Sequence, residues 1–166
     1  MAEVKTLAFK DTFAYKGIFD PTQIYRHIQN WFSEHNYDMH EAYNFEEVSE
    51  NGKQIILKLE PYKKITDYAK IKMKVTMTMK NLKDKIIENN NIKHQLKEGD
   101  MNLRIDLYLE TDYEDKWEGK PLYFFIRTIA EKFVYRGMLD QQEDQAVKDK
   151  DSFKREIKSY LNMHRF

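Results

Sequence analysis

From Tyr68 to Lys80 apolar and polar residues alternate without a break. Ala69, Ile71, Met73, Val75, Met77 and Met79 fall on one side, and Lys70, Lys72, Lys74, Thr76, Thr78 and Lys80 on the other. A period of two residues is that of a β-strand with one buried face. The pattern returns over Met101 to Thr111, with Leu103, Ile105, Leu107 and Leu109 on the apolar side. Earlier, Val4 to Gly17 reads as a strand with Leu7, Phe9, Phe13 and Tyr15 inward, and Asp11 brings a carboxylate to that same side. Tyr37 to Val48 and Gln54 to Tyr62 read as two strands paired around the turn residues Glu50-Asn51-Gly52. Ile55, Leu57 and Leu59 supply the buried side of the second; Pro61, which has no N–H for a ladder, marks an edge or a strand end. Asn81 to Gly99 predicts a small hairpin around Glu88-Asn89-Asn90-Asn91.

Helices are marked by a different period and by caps. Asp20-Pro21-Thr22-Gln23 combines an acidic N-cap, proline at the first helical position and glutamine three residues after the cap. Ile24, Ile28, Trp31 and Phe32 follow at helical spacing, with Asn36 as a left-handed stop. After Pro121, residues Leu122 to Tyr135 are apolar round most of a helical circumference, which predicts the most buried helix of the chain, stopped at Gly137. Asp140 with Glu143 starts a second, more exposed helix carrying the narrower stripe Phe153, Ile157, Tyr160 and Leu161. Its acidic first half suits the positive end of the helix dipole.

The order is strand, helix, about five to six strands, then two helices, which predicts an α+β fold. A curved antiparallel sheet of about six to seven strands would pack on a long C-terminal helix. This element order resembles the helix-grip fold of the START and Bet v 1-like (SRPBCC) superfamily over most of the chain. It departs in having one long helix after the first strand, where that family usually has a pair of short ones, and in the break at Gly137. The resemblance implies an apolar or amphipathic small molecule held between the sheet and the C-terminal helix. The candidate lining from the strands is Phe9, Phe13, Tyr43, Met73, Met77 and Ile105, and from the helix Phe125 and Ile129 beside Leu122 and Ile126. Methionine is unbranched and suits a pocket that repacks, although alternating methionines also make an ordinary filled core. Asp11 and Arg127 are charges set among apolar neighbours, so each needs a partner. They would pair with each other or orient the polar head of the ligand.

A chain of 166 residues suits one domain, residues 1–166. With 41% hydrophobic and 34% charged residues the composition is that of a globular protein, and no run approaches the roughly 18 apolar residues of a membrane span. The absence of cysteine and of an apolar leader sets the expectation of an intracellular, cytoplasmic protein without disulfides. Lys plus Arg and Asp plus Glu balance at 28 each, so no global field draws a polyanion. Locally the balance fails, because eight lysines between Lys63 and Lys85 stand against Asp67 and Asp84. Lys70, Lys72, Lys74 and Lys80 are therefore the alternative site, for RNA, a ribonucleoprotein or an acidic protein. Lysine is also a common guard on open sheet surfaces. His27, His35, His40, His94 and His164 lack metal-ligand spacing, and no phosphate-binding glycine loop or nucleophile elbow occurs. No catalytic residue, metal or cofactor is assigned. Trp117, in the acidic stretch Thr111 to Glu118, is a candidate plug or partner contact.

Overall fold

The computed structural model describes residues 3–113, 121–130 and 136–163. The elements run β1 (Glu3–Phe19), α1 (Pro21–Glu34), β2 (Glu41–Ser49), β3 (Gly52–Leu59), β4 (Tyr62–Lys64), β5 (Ala69–Asn89), β6 (Ile92–Thr111), α2 (Pro121–Ala130) and α3 (Arg136–Met163). The architecture is α+β. One curved antiparallel sheet of six strands has the order β1-β6-β5-β3-β2, with β4 pairing β5 where β3 stops. Pro61 explains that stop. It ends the β3 ladder, but its carbonyl accepts from the Met73 N–H at 2.9 Å, so pairing along β5 resumes at Tyr62.

β5 and β6 form the spine, at 21 and 20 residues. The expected small hairpin is their shared tip rather than a separate unit. Lys83 to Asn89 stay paired to Glu98 to Ile92, and Asn90 and Asn91 turn the chain with φ of 50° and 62°. Two successive left-handed residues match the twist of the flanking strands, and asparagine tolerates that conformation better than most residues. Between Lys80 and Lys83 the ladder slips, Asn81 adopts φ 56°, and Gly99 lies opposite. A Cβ on Gly99 would stand 2.7 Å from the Lys80 carbonyl oxygen and 2.8 Å from Leu82 Cδ2, so only glycine lets the strands approach here.

The alternation on β5 and β6 is realised as expected. Ala69, Ile71, Met73, Val75, Met77, Met79 and their neighbours Leu103, Ile105 and Leu107 are buried on the face that carries the helices. α1 forms as its signals predict, with the Asp20 carboxylate accepting from the Thr22 N–H at 2.9 Å and Ile24, Ile28, Trp31 and Phe32 buried. Asn36 leaves it at φ 60°.

The two C-terminal helices exchange their expected roles. α3 runs from Arg136, so Gly137 lies inside it and is not a stop, and its stripe Ala146, Phe153, Ile157 and Leu161 is buried. Phe153 packs with ring centroids 5.1 Å from Trp31 and 4.8 Å from Phe32. α2 carries Leu122, Phe125, Ile126 and Ile129 between 45% and 68% exposed. The expectation that α2 is the most buried helix is thus corrected. α1 and α3 supply the helical side of the core on the apolar face of the spine, and the described α2 stripe takes no part in it. Residues 131–135, the second half of that expected helix, and Trp117 lie outside the described residues.

Candidate functional site

The two faces of the sheet present different chemistry. On the covered face, the space between the spine and α3 is filled. Met73, Met77, Ile105, Phe153 and Ile157 are each at most 1% exposed. Of the expected lining, these buried strand residues do meet in one layer, but they meet as packed core.

The other expected residues do not join them. Bulges between Thr6 and Ala8 and between Ala8 and Asp11 interrupt β1. Lys10 sits at φ 54° in the second bulge, its N–H donating to an Asp106 carboxylate oxygen at 2.6 Å. One extra residue reverses the side on which every earlier side chain falls. Phe9 therefore lies on the open face under the Arg104 guanidinium, 5.1 Å from its ring centroid, while Asp11 and Phe13 keep to the covered face opposite Ile105 and Leu103. Tyr43 also faces away from the core, stacked on Phe45 with Lys58 Nζ 5.4 Å from its ring. Phe125 and Ile129 are on the exposed stripe of α2.

Asp11 is paired by α3. Its two carboxylate oxygens accept from Lys150, at 2.5 Å, and from Lys154. The Arg127 side chain lies outside the described residues. Burial alone would raise the Asp11 pKa, yet the two lysine hydrogen bonds outweigh it and hold the carboxyl below its usual range. Lys150 shifts upward for the same reason: Asp11 and Asp151 overcome the desolvation that would lower it. A carboxylate held ionised and a lysine held protonated make a clamp between β1 and α3, not a base or a nucleophile. A second tie joins the exit of α1 to α3, where the Tyr37 hydroxyl donates to Asp149 at 3.0 Å and Gln145 donates to the same carboxylate at 2.8 Å. Burial, then the Asp149 charge, pushes the Tyr37 hydroxyl pKa upward.

Where α1 and the β2–β3 hairpin diverge, the covered face opens into a groove of about 360 Å³. Its floor is Ile55, Leu57, Met77 and Met79; its rim is Thr22, Tyr25, Glu41, Asn44 and Glu46. Register places Asn44 and Glu46 beside Leu57 and Ile55, so β2 turns polar residues toward an apolar floor. The Tyr25 hydroxyl donates to Glu41 at 2.7 Å across the opening, and this bond pushes its pKa up to about 12. The rim was not legible in the sequence, because it depends on the splay of α1 from β2.

The open face carries the four lysines. Lys70 pairs with Glu110 at 2.9 Å, Lys72 with Glu60 at 2.6 Å, and Lys74 reaches Glu60 at 4.0 Å. Lys80 lies opposite Asp100. Aromatic rings sit between the cations: Lys74 Nζ is 5.5 Å from the Tyr108 ring centroid, and Lys70 Nζ 4.9 Å from that of Tyr113 and 5.9 Å from that of Tyr62. Tyr108 and Arg104 reach this face only through the pairing of β6 with β5. Toward β1 the small residues Ala14, Thr78 and Asn102 leave a shallow trough of about 510 Å³ beside Lys80 and Asp100.

Among the described residues no group of His, Cys, Asp and Glu is placed to hold a metal, and no helix is long and apolar enough to cross a membrane. Comparison with protein-family profiles, curated proteins and solved structures finds no match to this chain.

Proposed function

We propose that the protein is a non-catalytic helix-grip domain that binds an amphipathic small molecule on the covered face of its sheet. The supporting observation is the groove between α1 and the β2–β3 hairpin, which combines an adaptable methionine floor with a ring of polar groups. This moves the binding position from the C-terminal helix, whose contact with the sheet is filled, to the N-terminal helix. Native mass spectrometry of protein purified from its source is expected to show a bound small molecule. Asn44→Trp, which sets a large ring on the exposed rim, should release it. A ligand-free mass, together with no amphiphile that shifts the Met77 and Met79 methyl resonances, would overturn the proposal.

A second reading is favoured by the open face. Lys58, Lys70, Lys72, Lys74, Lys80 and Arg104 stand there against Glu60, Asp100, Asp106 and Glu110, with tyrosines interleaved. Cations beside aromatic rings suit a polyanion such as single-stranded RNA, with an acidic protein as the other candidate partner. Neutralising Lys70, Lys72 and Lys74 together should weaken RNA binding and reduce the slope of affinity against salt by about three, close to one for each phosphate that a lysine neutralises. An unchanged slope would remove this face from consideration.

A further inference from the structure

The charged groups at the rim of the groove are all of one sign. Its charged side chains are Glu41 and Glu46, and its described lining contains no lysine or arginine. The two carboxylates are held differently. Glu46 is paired with Lys53, on β3 two residues from Ile55 and outside the groove lining. Glu41 accepts from the Tyr25 hydroxyl, a neutral donor that fixes the carboxylate in place without cancelling its charge. Tyr25 also brings a ring of the kind that attracts ammonium groups. Below this rim the floor is apolar: Ile55 is partly exposed, and Leu57, Met77 and Met79 lie packed beneath it, so a chain entering the groove would have to repack the two methionines. A ligand that matches both levels has a hydrocarbon body against the floor and a positive head at the rim.

Building on the groove reading above, we infer that this site takes cationic amphiphiles, an alkyl or aryl chain ending in an amine or quaternary ammonium, and rejects anionic ones of the same length. An anionic head would meet Glu41 with no cation in the lining to offset it. A cationic head gains an opposite charge already oriented by Tyr25, so little side-chain entropy is lost on binding.

The test compares octyltrimethylammonium, octyl glucoside and octyl sulfate, each below its micelle concentration. The readout is the methyl resonances of Met77 and Met79, with that of Met73, which is outside the groove lining, as the control. The ammonium compound is expected to shift Met77 and Met79 at the lowest concentration and the sulfate at the highest. Glu41→Gln and Glu46→Gln should each weaken the ammonium compound by about threefold, as for partly solvated ion pairs, and leave the glucoside unchanged. Equal affinity for the three compounds, or tighter binding of the sulfate, overturns the charge selection while leaving the groove as a site. No selective shift with any of them overturns the groove as well.

Discussion

α2 and α3 show that apolar content and burial are separate properties. α2 is the more apolar helix by sequence, yet its Leu122, Phe125, Ile126 and Ile129 stripe is exposed. α3 is mostly charged and polar, yet Phe153, Ile157 and Leu161 are at most 1% exposed. What separates the helices is access to a partner surface. α3 lies along β1, β6 and α1, where a narrow stripe suffices because Trp31, Phe32 and the spine supply the opposing side chains.

Substitutions can sharpen this contrast, from the largest expected effect to the smallest. Phe153→Ala should lower unfolding free energy by about 3–5 kcal/mol in urea titrations, because it opens a cavity against Trp31 and Phe32. Asp11→Asn removes the anion that Lys150 and Lys154 share and should cost about 2 kcal/mol near neutral pH. Its effect has a pH signature. Since the native Asp11 pKa is depressed below its ordinary 3.8, the stabilisation is complete above that value and disappears as pH falls through the native value. Wild type and variant should therefore converge in acid; an unchanged gap at low pH would show that the clamp does not act through charge. Asp20→Ala should cost about 1 kcal/mol through loss of the α1 N-cap. Phe125→Ser on α2 should shift stability by less than about 0.5 kcal/mol. A destabilisation as large as that of Phe153→Ala would mean that the α2 stripe is part of the core.

The spine strands, the α1 start and the left-handed asparagines were legible because each depends on interactions between near neighbours in sequence. Met73, Met77 and Ile105 were placed correctly on a common buried side for that reason. Phe9 was misplaced because a bulge inserts one residue without breaking the run of apolar letters, and only the pairing of Asp106 with the Lys10 N–H reveals it. The Asp11 partner was missed because lysines 139 and 143 positions away carry no local mark of where they will land. The lysine face was legible as basic, but not the rings and carboxylates among its cations, which arrive from the β3–β4 link, β4, β6 and the residues just after β6.

By itself the sequence determined the elements: which stretches alternate, where α1 begins, and where the long hairpin turns. These follow from side-chain period, caps and backbone preference, all local in range. The tertiary structure decided which helix occupies the single apolar face of the sheet, which charge meets Asp11, and where a groove is left. Those outcomes depend on competition among distant segments for one limited buried surface, and α3 won it over the more apolar α2.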